Sequence, residues 1–121
     1  MRGFLLVAAL TGIALPAAAA GDAEAGRTAF TRRCGICHTV QPDQNRIGPS
    51  LHGVMGRPAA QVAGFNYSAA LRDSGKTWDE DTLSRFLLNP RELIPGNRMA
   101  MPGIPSEEER NNIGAYLATL R

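Results

Sequence analysis

Apolar positions recur at helical spacing in several stretches of this chain, and in none do they alternate convincingly at period two. Asp22 to Arg33 reads as a first helix. Ala25, Ala29 and Phe30 form its apolar stripe with Gly26 beside them, and Asp22 and Glu24 in the first turn and Arg32-Arg33 in the last match the helix dipole. Tyr67 to Asp73 reads as a short helix ended by Ser74-Gly75. Thr77-Trp78-Asp79-Glu80 fits a capping box with Thr77 as N-cap, followed by the stripe Leu83, Phe86, Leu87 and a stop at Asn89-Pro90. Ser106-Glu107-Glu108-Glu109 is a second capping box, opening a final helix with Ile113, Tyr116, Leu117 and Leu120 on one face. The pattern predicts an all-α fold. The first and last helices are expected to cross, with Gly26 and Gly114 at the contact and Phe30, Ile113 and Tyr116 as core.

Two stretches fall outside this pattern. Residues 40–66 are rich in Gly, Pro, Asn and Gln and have no sustained period, a long loop that a compact domain tolerates only when something organises it. The first twenty residues read as a leader. Arg2 is followed by an apolar run from Gly3 to Leu15, then Pro16 and the small residues Ala17–Ala20. The run is shorter than the roughly 17–25 residues a spanning helix needs. Residues 1–20 are therefore expected to be a cleaved secretory signal peptide and residues 21–121 a single domain without stable membrane insertion.

Removing the leader takes away Arg2 and no acid, so the 13 cationic and 11 acidic side chains become 12 and 11. Such a balance gives no excess charge for nucleic acid. The cations are arginines, planar and permanently charged, apart from Lys76.

The chemistry is concentrated in Cys34-Gly35-Ile36-Cys37-His38. C-x-x-C-H is the attachment signature of a c-type haem. Two thiols three residues apart lie on one side of a helical turn, within reach of two vinyl groups on one haem edge. A histidine straight after the second thiol can place an imidazole nitrogen on the iron. The chain has no other cysteine. A redox dithiol would sit in a βαβ setting, which the pattern lacks, and a tetrahedral zinc site would need two more ligands where only His38 and His52 are on offer. Thioether attachment takes place outside the cytoplasm in bacteria, which agrees with the leader.

A haem held by one histidine leaves a second axial position. His52, Met55, Met99 and Met101 are the available residues. His52 and Met55 lie close to the motif and read as packing residues. A chain of this size can wrap the ring only if the second ligand is well separated in sequence. Met99 and Met101 meet that demand, in the Pro/Gly-bounded loop Pro95–Gly103. Spacing alone does not choose between them.

The mature chain resembles the class I c-type cytochromes, close to the mitochondrial cytochrome c and bacterial cytochrome c2 kind. The matching pieces are Gly26 and Phe30, the attachment motif with Thr39-Val40, Gly48-Pro49-Ser50-Leu51-His52-Gly53, Gly56-Arg57, Gly64-Phe65-Asn66-Tyr67, Thr77-Trp78, Asn89-Pro90, Ile94-Pro95-Gly96-Asn97-Arg98-Met99 and Ala115-Tyr116-Leu117. Each is weak alone, and their order and spacing make them specific. The resemblance implies a small cytochrome c fold wrapped around one haem c attached through Cys34 and Cys37. His38 and Met99 would be the iron ligands, and Met101 would stand where an aromatic usually shields the haem edge. Pro49 would accept a hydrogen bond from the other imidazole nitrogen of His38. Tyr67 and Trp78 would donate to a buried propionate with Arg57 as counter-charge. Phe86 and Leu71 depart from the Tyr and Asn common at these positions.

Two filled axial positions would imply an electron carrier rather than an enzyme; a carrier is expected to be soluble and monomeric, and the leader places it in the periplasm. The family suggests transfer from a quinol–cytochrome c oxidoreductase to a terminal oxidase or a reaction centre. Arg33, Arg46, Arg91 and Arg98 are expected near the haem edge, facing acidic surfaces of membrane redox complexes, with Glu107, Glu108 and Glu109 elsewhere. Arg110 is expected to be solvated and remote from that edge. Val40, Met101 and Ile104 would form an apolar patch if docking were not ionic. The rival readings are an electron-accepting subunit of one dehydrogenase, and a haem peroxidase if Met99 dissociates.

Overall fold

The protein is here a computed structural model that describes residues 3, 8–9, 11–12 and 21–121, and the described residues form five helices and the loops between them. The expected leader lies largely outside the described residues. α1 (Ala23–Arg33) begins at Asp22, which is the N-cap rather than a first-turn residue, its carboxylate accepting from the N–H groups of Glu24 (2.9 Å) and Ala25 (3.2 Å). α2 (Ala69–Arg72) is shorter than the pattern predicts, because the Ser68 side chain caps it and leaves Tyr67 outside. α3 (Glu80–Leu88), α4 (Pro90–Leu93) and α5 (Glu107–Ala118) complete the set. The pattern at Asn89-Pro90 predicts only a stop. Proline, however, suits a first helical position, and with the Asn89 side chain as cap the chain starts α4 at once.

The N-cap of α3 is Asp79, not Thr77. Asp79 accepts from the N–H of Thr82 at 2.7 Å. Thr77 is unavailable because it forms an isolated antiparallel bridge with Pro58. Around that bridge the N–H of Gly56 donates to the Trp78 carbonyl (2.7 Å), Trp78 N–H to the Arg57 carbonyl (2.9 Å) and Ala59 N–H to the Lys76 carbonyl (2.8 Å). This extended tie fastens the long loop to the start of α3 and sets Arg57 and Trp78 next to each other.

α1 and α5 make the most extensive helix–helix contact. Gly26 permits it: a Cβ there would collide with the Asn112 backbone and the Tyr116 side chain. Phe30 and Tyr116 stack in a tilted pair at 5.6 Å. Gly114 does not share this crossing, since its missing side chain faces Leu83 of α3. The buried residues of α1 are Gly26, Ala29 and Phe30, while Ala25 is exposed. In α3 the stripe Leu83, Phe86, Leu87 is buried as the pattern predicts, and in α5 Ile113 and Leu117 are.

Two charged residues are placed differently from the sequence expectation. Glu109 shares the acidic first turn of α5 with Glu107 and Glu108, as expected, but it does not stand apart from the arginines. It pairs with both Arg32 (3.0 Å) and Arg33, tying the end of α1 to the start of α5. Arg33 is therefore paired rather than a free cation, although one carboxylate shared by two guanidiniums leaves the trio net positive. Arg110 is buried rather than solvated, because its guanidinium reaches the Ile104 carbonyl (2.8 Å), the Pro105 carbonyl (2.7 Å) and Ser84 Oγ (3.1 Å). Ile104 is itself fully buried, so it cannot belong to a surface patch. Among the described residues no helix is long and apolar enough to cross a membrane.

Two outcomes follow from this packing. Gly26→Ala should lower the denaturation free energy of the holoprotein by about 1–3 kcal/mol, the usual cost of overpacking a close contact, and a loss under ~0.5 kcal/mol would mean the helices can slide apart freely. The second concerns Glu109, whose carboxyl is held below its ordinary value first by the hydrogen bond from Arg33. A lowered folded-state value stabilises the fold above the unfolded value near 4.5 and less as pH falls through the folded one. Glu109→Gln should thus cost stability at neutral pH, and the gap from the wild type should close in acid denaturation below about pH 4.5. A gap that persisted undiminished at low pH would show that the ion pair is not its source.

Candidate functional site

The helices and the long loop enclose a cavity of ≈ 750 Å³. Its wall includes every residue singled out from the sequence as binding or ligating: Cys34, Cys37, His38, Pro49, Arg57, Tyr67, Trp78 and Met99. Met101 also lines it, whereas His52 and Met55 do not.

The attachment motif begins as α1 ends. The N–H groups of Cys34 and Gly35 share the Phe30 carbonyl, and those of Cys37 (3.1 Å) and His38 (2.9 Å) return to the Cys34 carbonyl. This extra turn directs both thiols to the cavity. Burial pushes the Cys34 thiol up to about 11, so it rests as the neutral thiol. Neither cysteine is in a disulfide.

His38 Nδ1 lies 2.7 Å from the Pro49 carbonyl oxygen. A carbonyl can only accept, so Nδ1 carries the proton and Nε2 keeps its lone pair. Burial also lowers the imidazole's proton affinity, and the Pro49 bond only partly offsets this. Both effects favour a neutral ring with one nitrogen free for a metal. Gly48 makes this placement possible, because a Cβ there would overlap the ring. The peptide around Pro49 is fixed from behind: Gly48 N–H donates to the Cys37 carbonyl (2.8 Å), Asn45 Oδ1 accepts from Ser50 N–H (2.9 Å), and Ser50 Oγ donates to the Gln41 carbonyl (2.6 Å). Asn45 and Ser50 were not singled out as site residues from the sequence.

On another part of the wall, Tyr67 Oη accepts from the Val62 N–H at 3.0 Å. The hydroxyl proton is therefore available to a ligand. Burial raises the phenol's proton affinity, so it stays a donor. Phe65 packs edge-on against Tyr67 at 4.9 Å and keeps the ring in place. The Trp78 ring packs on Phe86 at 5.0 Å. The Arg57 guanidinium donates to the His52 carbonyl at 3.3 Å while lining the same cavity. Phenol, indole and guanidinium thus share the cavity wall as candidate donors to an acid.

Met99 arrives from the loop after α4 and packs against the core. Its N–H donates to Asn97 Oδ1 at 2.9 Å. Asn97 is the most consequential residue to which the sequence assigns no role. The residues that α2 and α3 add to the same cavity wall are apolar: Leu71, Leu83, Phe86 and Leu87.

This donor set fits a c-type haem. Two thiols one turn apart, an imidazole with a free nitrogen, a soft thioether and three donors for an acidic edge all face one apolar cavity. Among the described residues, no three His, Cys, Asp or Glu side chains gather into a metal site, so the zinc alternative lacks its further ligands.

Comparison with known proteins agrees. Residues 23–121 match the family model described as Cytochrome c. The chain is 45% identical over 103 residues to a cytochrome c2 from Rhodoblastus acidophilus, covering 84% of this chain and 95% of that one. It is 44% identical over 100 residues to a cytochrome c from Gibberella zeae, covering 82% and 94%. Among solved structures it is similar to cytochrome cH from Methylobacterium extorquens, with a TM-score of 0.77 and 41% identity over 82% of this chain and 99% of that one.

Two methionines share the cavity wall, and substitution separates them. Met99→Ala should abolish the sulfur-to-iron absorption band of the ferric protein, lower its potential and let cyanide bind readily. Met101→Ala should keep the band. The opposite pair of results would move the ligand by two residues.

Proposed function

The chain belongs to the cytochrome c family, and on that premise we propose that it is a soluble, monomeric, single-haem electron carrier of the periplasm. The family carries covalently attached haem c and transfers electrons, and Cys34 and Cys37 stand at the family's spacing. The finer reading rests on one observation. His38 and Met99 line the same cavity as the two cysteines, so an imidazole and a thioether would both be on hand to hold the iron.

When bound, the haem supplies an iron that changes oxidation state by one electron. The chain's residues make that change inexpensive. Pro49 holds the imidazole in a single tautomer and orientation, so His38 needs no rearrangement between the two states. Met99 contributes a soft donor that favours the reduced state. Leu71, Leu83, Phe86 and Leu87 make the α2 and α3 part of the same cavity wall apolar. Tyr67, Trp78 and Arg57 would offset the charge of a buried propionate. With His38 and Met99 both holding the iron, a substrate would find no open place on it, which favours a carrier over a peroxidase.

The leader read at residues 1–20 supports export, and its removal would leave residues 21–121 as the working domain. Partners would be membrane redox complexes with acidic docking faces, met transiently. A quinol–cytochrome c oxidoreductase would be the donor and a terminal oxidase or reaction centre the acceptor. Arg46, Arg91 and Arg98 are exposed, and Arg98 lines the cavity mouth. Arg33 contributes less than its position suggests because Glu109 pairs with it. Ile36 and Ile47, 69% and 77% exposed, stand on the cavity wall as well and would give the contact an apolar centre.

Electron transfer to an acidic partner should slow as ionic strength rises, since exposed charges are screened over roughly 8–10 Å. Arg98→Glu should lower the association rate several-fold at low salt and less at high salt, with little change in potential. Arg27, exposed on α1 and absent from the cavity wall, is the control in place of the buried Arg110. Equal losses at Arg27 and Arg98, or rates indifferent to salt, would place the docking face elsewhere or make it chiefly apolar.

A further inference from the structure

The loop that carries Met99 hangs between two anchors. At its start, Asn97 uses its whole carboxamide. Nδ2 donates to the Pro90 and Ile94 carbonyls, both at 2.8 Å, and Oδ1 accepts from the Met99 N–H at 2.9 Å. These carbonyls lie at the start of α4 and at its C-cap, Ile94 being among those a helix end leaves without an internal partner. One side chain thus ties α4 to the residue that would ligate the iron.

At the loop's far end, Ile104 N–H donates to the Leu87 carbonyl of α3 at 2.8 Å, and the Arg110 guanidinium binds the Ile104 and Pro105 carbonyls. Between the anchors the hydrogen bonds are few: Met101 N–H to the Met99 carbonyl (3.1 Å), and the exposed Arg98 guanidinium to the Asn66 carbonyl (3.3 Å). The first lies within the loop and the second is solvated, so neither fixes it firmly.

The cavity wall adds to this. Leu71 and Phe86 line the same cavity as Met99, and neither side chain carries a hydroxyl or amide that could hold a sulfur. The hydrogen bonds that hold Met99 therefore come through its backbone, from Asn97. We propose that Asn97, with Arg110 at the other end, is the positioning residue that sets how readily Met99 leaves the iron. The requirement is specific to a carboxamide. Two donors on one nitrogen and an acceptor beside it are needed at once, and aspartate, threonine and alanine lack that set.

The inference rests on the reading of Met99 as ligand. Binding of added imidazole to the ferric holoprotein tests it, because imidazole must displace the native ligand and its apparent affinity reports how often the loop opens. Asn97→Ala should tighten imidazole binding about tenfold or more. Asn97→Asp keeps the acceptor for the Met99 N–H but sets a carboxylate against two carbonyls, and should tighten it as well. Arg110→Lys, which retains a donor for one carbonyl, should lie between the wild type and Arg110→Met. Gly26→Ala lowers overall stability without touching the loop, and should leave the imidazole affinity unchanged.

Three results overturn the proposal. Wild-type imidazole affinity in Asn97→Ala, alongside loss of the sulfur-to-iron band in Met99→Ala, would leave the ligand assignment standing and remove Asn97 from its role. An equal rise in Gly26→Ala would reduce the effect to general destabilisation. A band that survives in Met99→Ala would defeat the ligand assignment, and the positioning role with it.

Discussion

The structure depends on a cavity that its own side chains do not fill. Around ≈ 750 Å³ stand residues from every helix except α4 and from each long loop. In a protein interior, void costs about 24 cal/mol per Å³, so leaving even a tenth of this volume dry would cost about 2 kcal/mol. Folded domains are stable by only about 5–15 kcal/mol. The haem that the family carries is therefore the missing part of the core, and covalent attachment keeps it there through every redox cycle. This explains how residues 40–66, with no helix and little apolar periodicity, hold a definite course. They would lie against the ring, with Asn45, Ser50 and the Pro58–Thr77 bridge fixing the chain from behind.

The same constraint orders the site. α1 crosses α5 at Gly26, and that crossing fixes where α1 ends and where the cysteine turn must lie. Gly48 then lets the backbone approach His38 closely enough for Pro49 to select its tautomer. Loop and α3 meet through the extended tie, which brings Arg57 and Trp78 together. On the other side Asn97 and Arg110 suspend Met99. Each contact is ordinary in kind. Their common effect is to present ligands and donors already oriented, so that a change of iron charge needs little movement of protein.

Much of this was legible in the sequence, and the residues show why. The attachment motif is read from spacing because its chemistry is local, three residue steps of backbone deciding which way two thiols point. The helices with stripes of large apolar residues, α3 and α5, are read from period. What was not legible depends on partners distant in the chain. Thr77 carries a good capping pattern and loses the role to Asp79 because Pro58 claims its backbone. Arg110 looks like a surface cation until the Ile104 and Pro105 carbonyls are seen around it. Arg33 looks free until Glu109 arrives from 76 residues away. Asn97 sits between a glycine and an arginine with no local signal of its use. Only the fold brings Pro90, Ile94 and Met99 around its amide.

If the haem completes the core, the chain should not reach this fold without it. The most direct measurement is amide hydrogen exchange on the Cys34→Ala/Cys37→Ala protein produced without haem, compared with holoprotein under the same conditions. The account predicts protection throughout the holoprotein and its loss in the haem-free chain at residues 40–66, α3 and the Met99 loop, with at most residual protection where α1 meets α5. Native-like protection across those segments in the haem-free chain would contradict it, since the polypeptide alone would then be sufficient to hold the cavity open.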